Sequence, residues 1–236
     1  MELFYIFLII LIGSIIQGAT SFGFAIVSMP FLVLFLPVKT ATILVLILAA
    51  FLVFFIFIKM RKHVSYQAII YVIIASYIGV AVGVFGLENL ETNILQSILG
   101  ILLILVSIYF FFNKDINIKP TKTNGLFSGL ISGLFGGLFN ITGPPLVIYY
   151  FSSIENKKEY QGTIQATFFF SILFTIAIHL LRGNITFEII KMASVGLAAV
   201  VLGSIIGLKI FDHLDKRLIK KILSIVMIIM GSMLIF

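Results

Sequence analysis

The chain has 236 residues, of which 61% are hydrophobic and only 11% are charged, and its formal net charge is +7. This composition excludes an ordinary soluble domain and is typical of an integral membrane protein. The absence of cysteine excludes disulfides and thiolate metal sites. The basic residues lie between apolar segments, where they report membrane topology rather than nucleic-acid binding.

Apolar segments long enough to cross a bilayer as helices recur along the whole chain. In the first half they cover 2–36, interrupted near 18–23, and then 40–58, 66–86 and 92–112. The second half repeats this order with 124–153, interrupted near Gly143, and then 160–181, 185–209 and 214–236. The sequence therefore predicts an all-α polytopic membrane protein with a first membrane repeat over 1–112, a cytoplasmic linker over 113–123 and a second membrane repeat over 124–236.

Glycine positions support an internal duplication. A shift of 120 residues places Gly13 on Gly133 and Gly23 on Gly143, and a shift of 124 places Gly79 on Gly203 and Gly83 on Gly207. The alternative is a chance coincidence of glycines in an apolar chain. We favour duplication, because the two halves share an order of features and not only a composition.

The lysine and arginine positions distinguish between interrupted segments that cross the membrane and interrupted segments that return to their starting side. If both return, 13 basic residues face the cytoplasm and 3 face outside, whereas single crossings give 8 on each side. Cytoplasmic loops carry the excess of positive charge. We therefore predict two inverted repeats, each a broken re-entrant helical hairpin plus three transmembrane helices, with both termini outside.

The second interruption is the sharper of the two. Gly143, Pro144 and Pro145 cannot continue a helix from Phe139, but proline is favoured at a helix start and Thr142 is a good N-cap. We predict half-helices over about 124–138 and 144–153, joined by a tip at 139–143. Unwound backbone in a membrane is tolerated where it lines a cavity or is buried in protein, and a half-helix start attracts anions.

Two segments resemble the paired signature segments of the sulfite exporter TauE/SafE family. The first is Gly18-Ala-Thr-Ser-Phe-Gly-Phe24, running to Pro30, and the second is Gly129-Leu-Ile-Ser-Gly-Leu-Phe-Gly-Gly137, running to Gly143-Pro-Pro145. The resemblance covers essentially the whole chain. It implies a multi-pass transporter of the cell inner membrane that carries small anions, such as sulfite or sulfonates. The first segment departs from the second in having Phe24-Ala25 where the second has Pro144-Pro145.

We expect the anion to be held between the two tips by neutral donors. The candidate substrate-binding residues are Thr20, Ser21, Gly23, Asn140, Thr142, Gly143, Pro144 and Gln165. Hydroxyl and N–H donors suit anion oxygens, although Thr20, Ser21 or Gln17 could instead cap a kinked helix. Gln161 and Gln165 share a helix face and either project towards the tip or face water.

Other conspicuous residues have structural interpretations. The glycines Gly129, Gly133, Gly136 and Gly137 line a helix face in the manner of small-residue packing contacts, and no lysine follows them as in a phosphate-binding loop. His179 is the one histidine deep in an apolar run, and we interpret it as a hydrogen-bonded structural residue rather than a proton relay.

The predicted spans carry no Asp or Glu at their centres, which gives little support to ion coupling and favours efflux. Each negative charge leaving a cell gains about 2.3 kcal/mol per 100 mV. We expect a small inorganic or organic anion and the lipid bilayer as partners, with a homodimer left open, and no cofactor, metal or nucleic acid. A passive anion channel and an intramembrane serine hydrolase are the competing interpretations. The hydrolase lacks a nucleophile-elbow motif.

Overall fold

The computed structural model describes residues 2–20, 23–112, 119–210 and 216–235. These residues form ten α-helices and one turn of 3-10 helix, and no β-strand occurs among them. The helices are α1 (Glu2–Thr20), α2 (Phe24–Leu32), α3 (Val38–Met60), α4 (Tyr66–Asn89), α5 (Thr92–Phe112), α6 (Lys122–Phe139), α7 (Gly143–Ser153), α8 (Lys157–Leu181), α9 (Phe187–Ile210) and α10 (Lys216–Ile235). The all-α prediction is confirmed, and each interrupted apolar segment contains two helices.

Five helical segments of the described residues are long and apolar enough to cross a bilayer. They are Val38–His63, Tyr66–Asn89, Thr92–Phe112, Lys157–Leu181 and Phe187–Gly207. Five of the six predicted full spans correspond to them, while the sixth, 214–236, contains α10 but begins and ends outside the described residues. Phe55, Ile78 and Phe127 expose about 60% of their surface, as expected where side chains face lipid. The protein is a multi-pass membrane protein.

The chain folds into two compact units, and each draws helices from both halves of the sequence. The first unit comprises Met1–Leu48, Leu90–Asp115 and Phe187–Phe236, and the second comprises Ala49–Asn89 and Ile116–Thr186. The hairpin α1–α2 is thus grouped with α5, α9 and α10, whereas the hairpin α6–α7 is grouped with α4 and α8. Helix α3 contributes to both units.

In the second unit, α4 and α6 run parallel in backbone contact. A Cβ atom added to Gly129, Gly133 or Gly137 would collide with the carbonyl oxygens of Val72, Ser76 or Val80, respectively. Glycines four residues apart remove the side chains that would otherwise separate the two helices. The predicted packing face is therefore confirmed for these three glycines, whereas Gly136 faces Thr142 instead of α4.

The hairpin α6–α7 returns to the end from which it starts. The Tyr149 hydroxyl near the end of α7 donates to the Thr121 carbonyl, just before α6, at 3.4 Å. Helix α8 then runs parallel to α4, because Ser65 contacts Thr163 near the two helix starts and Ser76 contacts Ser171 further along. The predicted half-helices and tip lie within one or two residues of the observed ones.

In the first unit, α1 packs on α9 with the same contact pattern. Gly203 faces Leu11, Ser14 and Ile15, as Gly79 of the second unit faces Leu130, Gly133 and Leu134. Gly79 of α4 and Gly203 of α9 therefore occupy equivalent positions, separated by the predicted offset of 124 residues. On α1 and α6 the contacts match at an offset of 119, one residue less than the shift inferred from glycines, because Ser14 and not Gly13 occupies the position of Gly133. The inverted orientation of the two halves stays a prediction.

Candidate functional site

Asn140 ends helix α6 in the left-handed backbone conformation. Its φ is 56° and its ψ is 23°, a region that asparagine tolerates better than most residues with a Cβ atom. The N–H of Asn140 donates to the Gly136 carbonyl at 2.8 Å, and the N–H of Ile141 reaches the Phe135 carbonyl at 3.2 Å. Asn140 is only 7% exposed. It therefore has a structural role in turning the chain at the tip, beside its predicted role as a donor.

Thr142 occupies the N-cap position of α7, as predicted. Its side chain, however, makes no capping hydrogen bond among the described residues. Pro144 and Pro145 carry no N–H, so the Gly143 N–H is the one backbone donor in the first three positions of the helix. The double proline thus starts the half-helix sharply but leaves it fewer backbone donors than an ordinary helix N-terminus.

Two contacts with α6 fix Thr142 in place. The Ser132 hydroxyl, which is fully buried, donates to the Thr142 carbonyl at 2.8 Å. A Cβ atom at Gly136 would lie 2.5 Å from the Thr142 Cγ2, so the threonine methyl fills the space that this glycine leaves. This role of Ser132 was not predicted from the sequence.

The first tip is built differently. Helix α2 begins at Phe24, and its N-cap is Gly23 with φ of 116°, a conformation that favours glycine. The Phe24 N–H is satisfied by Gln17, whose Oε1 accepts it at 3.0 Å from the preceding helix. Gln17 thus takes the capping role that was one of its two interpretations. Ser21 and the side chain of Thr20 lie outside the described residues.

Helix α8 carries a buried polar face beside the hairpin. Its members lie four residues apart and are at most 4% exposed: Thr163, Thr167, Ser171, Thr175 and His179. Thr167 Oγ1 and the Tyr150 hydroxyl of α7 are 2.8 Å apart, and Ser171 Oγ and Ser76 Oγ of α4 are also 2.8 Å apart. Hydroxyl pairs therefore join α8 to both of its neighbours.

Gln165 lies outside this regular face and is also fully buried. Burial excludes the alternative that Gln165 faces water at the start of α8. Its projection towards the tip stays a prediction.

The far end of α8 holds a polar cluster. His179 Nδ1 lies 3.0 Å from Asn184 Nδ2, and the same amide group donates to Glu88 of α4. Arg182 Nη1 pairs with the other Glu88 oxygen at 2.9 Å. His179 was conspicuous in the sequence, but its neighbours Asn184 and Glu88 were not predicted. No group of three His, Asp or Glu residues within the described ranges could hold a metal ion.

Comparison with known proteins identifies the family. A family model described as "Sulfite exporter TauE/SafE" matches residues 5–234, which include both hairpins. No protein of curated function and no solved structure matches the chain significantly. The match covers essentially the whole chain and confirms the resemblance read from the two signature segments. The chain belongs to the sulfite exporter TauE/SafE family of membrane transporters.

Proposed function

We propose that this protein carries a small sulfur-containing oxyanion, such as sulfite or an organosulfonate, out of the cell across the inner membrane by alternating access. The observation that carries the proposal is the tip of the second hairpin, where Thr142 is fixed by Ser132 and Gly136 at the start of a half-helix. The positive end of a helix dipole favours an anion there. The family supplies the class of substrate.

The donors at this tip are neutral. They are the Asn140 amide, the Thr142 hydroxyl and the Gly143 N–H, and Asn140 and Thr142 are at least nine-tenths buried. Hydrogen bonds from neutral groups replace part of the hydration shell of an oxyanion without the strong attraction of a fixed cation. Such a site suits a carrier, because the anion must also leave. Export gains about 2.3 kcal/mol per charge at 100 mV, inside negative, and needs no coupling ion.

The test is anion flux into proteoliposomes, with a panel of sulfite, sulfate, taurine, sulfoacetate and chloride. Thr142→Val keeps the shape of the side chain, including the methyl contact with Gly136, and removes the hydroxyl. Thr142→Ser keeps the hydroxyl and removes the methyl. We expect saturable flux of a sulfur oxyanion that is weakened at least about tenfold in Thr142→Val, the equivalent of one charge-assisted hydrogen bond, and largely retained in Thr142→Ser.

Other outcomes would favour the competing functions. Chloride flux as fast as that of the other anions, without saturation, would indicate a passive channel. Loss of flux in Thr142→Ser but not in Thr142→Val would contradict the hydroxyl as a ligand. A serine hydrolase is disfavoured because the Ser132 hydroxyl is engaged with a backbone carbonyl and His179 Nδ1 faces Asn184. Labelling of Ser132 by a serine-directed reagent would instead support the hydrolase.

A further inference from the structure

The end of α4 is joined to the end of α8 through two residues, Asn184 and Arg182. Asn184 lies in the connection 182–186 that follows α8, and its Nδ2 atom contacts both Glu88 Oε1, at 2.5 Å, and His179 Nδ1, at 3.0 Å. The backbone N–H of Asn184 also donates to the His179 carbonyl at 2.9 Å. Arg182 completes the cluster by pairing with Glu88 Oε2 at 2.9 Å.

The hydrogen bonds of this cluster fix the protonation state of His179. An ionised carboxylate only accepts hydrogen bonds, so Asn184 must present its NH₂ group to Glu88. The second hydrogen of that group points to His179 Nδ1, which must therefore accept. An imidazole that accepts at Nδ1 is neutral and carries its proton on Nε2. A proton on Nδ1 would place two donors against each other.

We propose that His179 is a proton-binding site whose neutral form holds the Asn184 bridge to Glu88, and that its protonation breaks this bridge and leaves the connection 182–186 tied to α4 by the Arg182–Glu88 pair alone. The imidazolium carries a hydrogen on Nδ1, and the bridging amide points a hydrogen of its NH₂ group at the same atom. The two donors cannot face each other, so the bridge and the charged imidazole are incompatible. His179 is fully buried, so water cannot solvate the positive charge that protonation creates, and polar groups nearby must rearrange to stabilise it. Released from the amide, Glu88 is available to the imidazolium.

The surroundings leave few other charges to govern this proton. Of the described helices packed on α8, α4 offers Glu88 at this end, and its Tyr77 stacks on Phe174 further down. The titratable groups of α6 and α7 are Lys122, Tyr149 and Tyr150, which lie towards the opposite end or face Thr167. The 3-10 turn Arg61–His63, whose three residues are basic, packs on α8 beside Gly162, also at the opposite end. On α8 itself the nearby charge is that of Arg182, which is already paired with Glu88.

The experiment uses the full chain in lipid nanodiscs, in a background in which His63 and His213 are replaced by glutamine. His179 is then the sole imidazole, and NMR of labelled histidine reports its tautomer and its titration. Spin labels on Phe85→Cys and Ile185→Cys report the distance between α4 and the connection. We expect the Nε2–H tautomer at pH of about 8 and, on acidification, protonation together with a broader and longer distance distribution.

Two variants separate a proton site from a merely structural histidine. In His179→Gln the distance distribution should no longer depend on pH. Asn184→Ala lacks the bridge, so it should give the broader, low-pH distance distribution at every pH while the imidazole still titrates. This variant provides the test if His179→Gln does not fold.

Three results would overturn the proposal: an Nδ1–H tautomer at high pH, a distance change that persists in His179→Gln, or an imidazole that stays neutral while the connection moves. None of these measurements depends on anion transport. The proposed proton site is therefore tested independently of the proposed transport function.

Discussion

Gly133 of α6 lies directly on the backbone of Ser76 of α4, so closely that a Cβ atom at position 133 would collide with the Ser76 carbonyl oxygen. The same serine turns its hydroxyl towards Ser171 of α8 at 2.8 Å. Ser76 is fully buried. One residue of α4 therefore sets the spacing to the hairpin with its backbone and the spacing to α8 with its side chain.

Substitution of Gly133 should separate α4 from α6. The obstructing atom in Gly133→Val is backbone, which cannot rotate away, so we expect the free energy of unfolding to fall by about 1–3 kcal/mol or more. Thermal unfolding in detergent, followed by size-exclusion chromatography, measures this loss. The matched control is Ile131→Val on the more exposed side of the same helix, where little change is expected. Equal unfolding temperatures for the two variants would contradict backbone contact at Gly133.

Removal of the Ser132 hydroxyl should loosen the tip of the second hairpin. Ser132→Ala deletes the donor to the Thr142 carbonyl, a loss of about 1 kcal/mol for one buried hydrogen bond. If Thr142 binds the anion, its looser placement should raise the KM of flux several-fold with a smaller effect on stability. Ser128→Ala, one turn earlier on α6, is the control and should leave KM unchanged. An unchanged KM in Ser132→Ala would dissociate the hydrogen bond from binding.

Gln17 should be the most sensitive polar residue of α1. Gln17→Leu leaves the buried Phe24 N–H without its acceptor, which costs about 1–3 kcal/mol. Ser14→Ala is the matched control on the same helix, because the buried Ser14 hydroxyl has no hydrogen-bond partner among the described residues. We expect lower thermal stability for Gln17→Leu and no loss for Ser14→Ala. The reverse order would show that α2 starts without help from Gln17.

The hairpin geometry predicts which positions share a side of the membrane. Ser65 and Ser153 lie at the end of the second unit where α4 and α8 begin, and Leu181, which is 89% exposed, lies at the other end. Single cysteines at these positions are unambiguous, because the chain has none. An impermeant thiol reagent should label Ser65→Cys and Ser153→Cys from the same side and Leu181→Cys from the opposite side. Labelling of Ser153→Cys together with Leu181→Cys would contradict the returning hairpin.

The breaks in the two hairpins were predictable from sequence, since their causes are local. Proline removes an N–H and fixes φ wherever it occurs, so Pro144 and Pro145 placed the start of α7 within one residue. The glycine face of α6 was readable from its four-residue spacing, because helical periodicity alone decides which residues share a face. The apolar lengths of the spans followed in the same way from the thickness of the bilayer.

The partners of the polar residues were not predictable, because they come from distant parts of the chain. Asn184 meets Glu88 from 96 residues away, and Ser76 meets Ser171 from 95. Hydropathy and periodicity indicate which residues share one face of a helix, but they do not indicate which other helix packs on that face. The offset of 119 between α1 and α6 was missed for the same reason: the equivalence of Ser14 and Gly133 rests on what packs against them, not on residue type.

The sequence by itself determined the membrane class, the order of helices, the position of both breaks and the family, all of which depend on composition and short-range backbone chemistry. Only the tertiary structure decided that Ser132 holds Thr142, that Gln17 caps α2, and that Asn184 bridges His179 to Glu88. Each of these is a directional hydrogen bond between groups that packing brings within about 3 Å. Directional contacts are set by the positions of whole helices, and no local pattern of residue types encodes those positions.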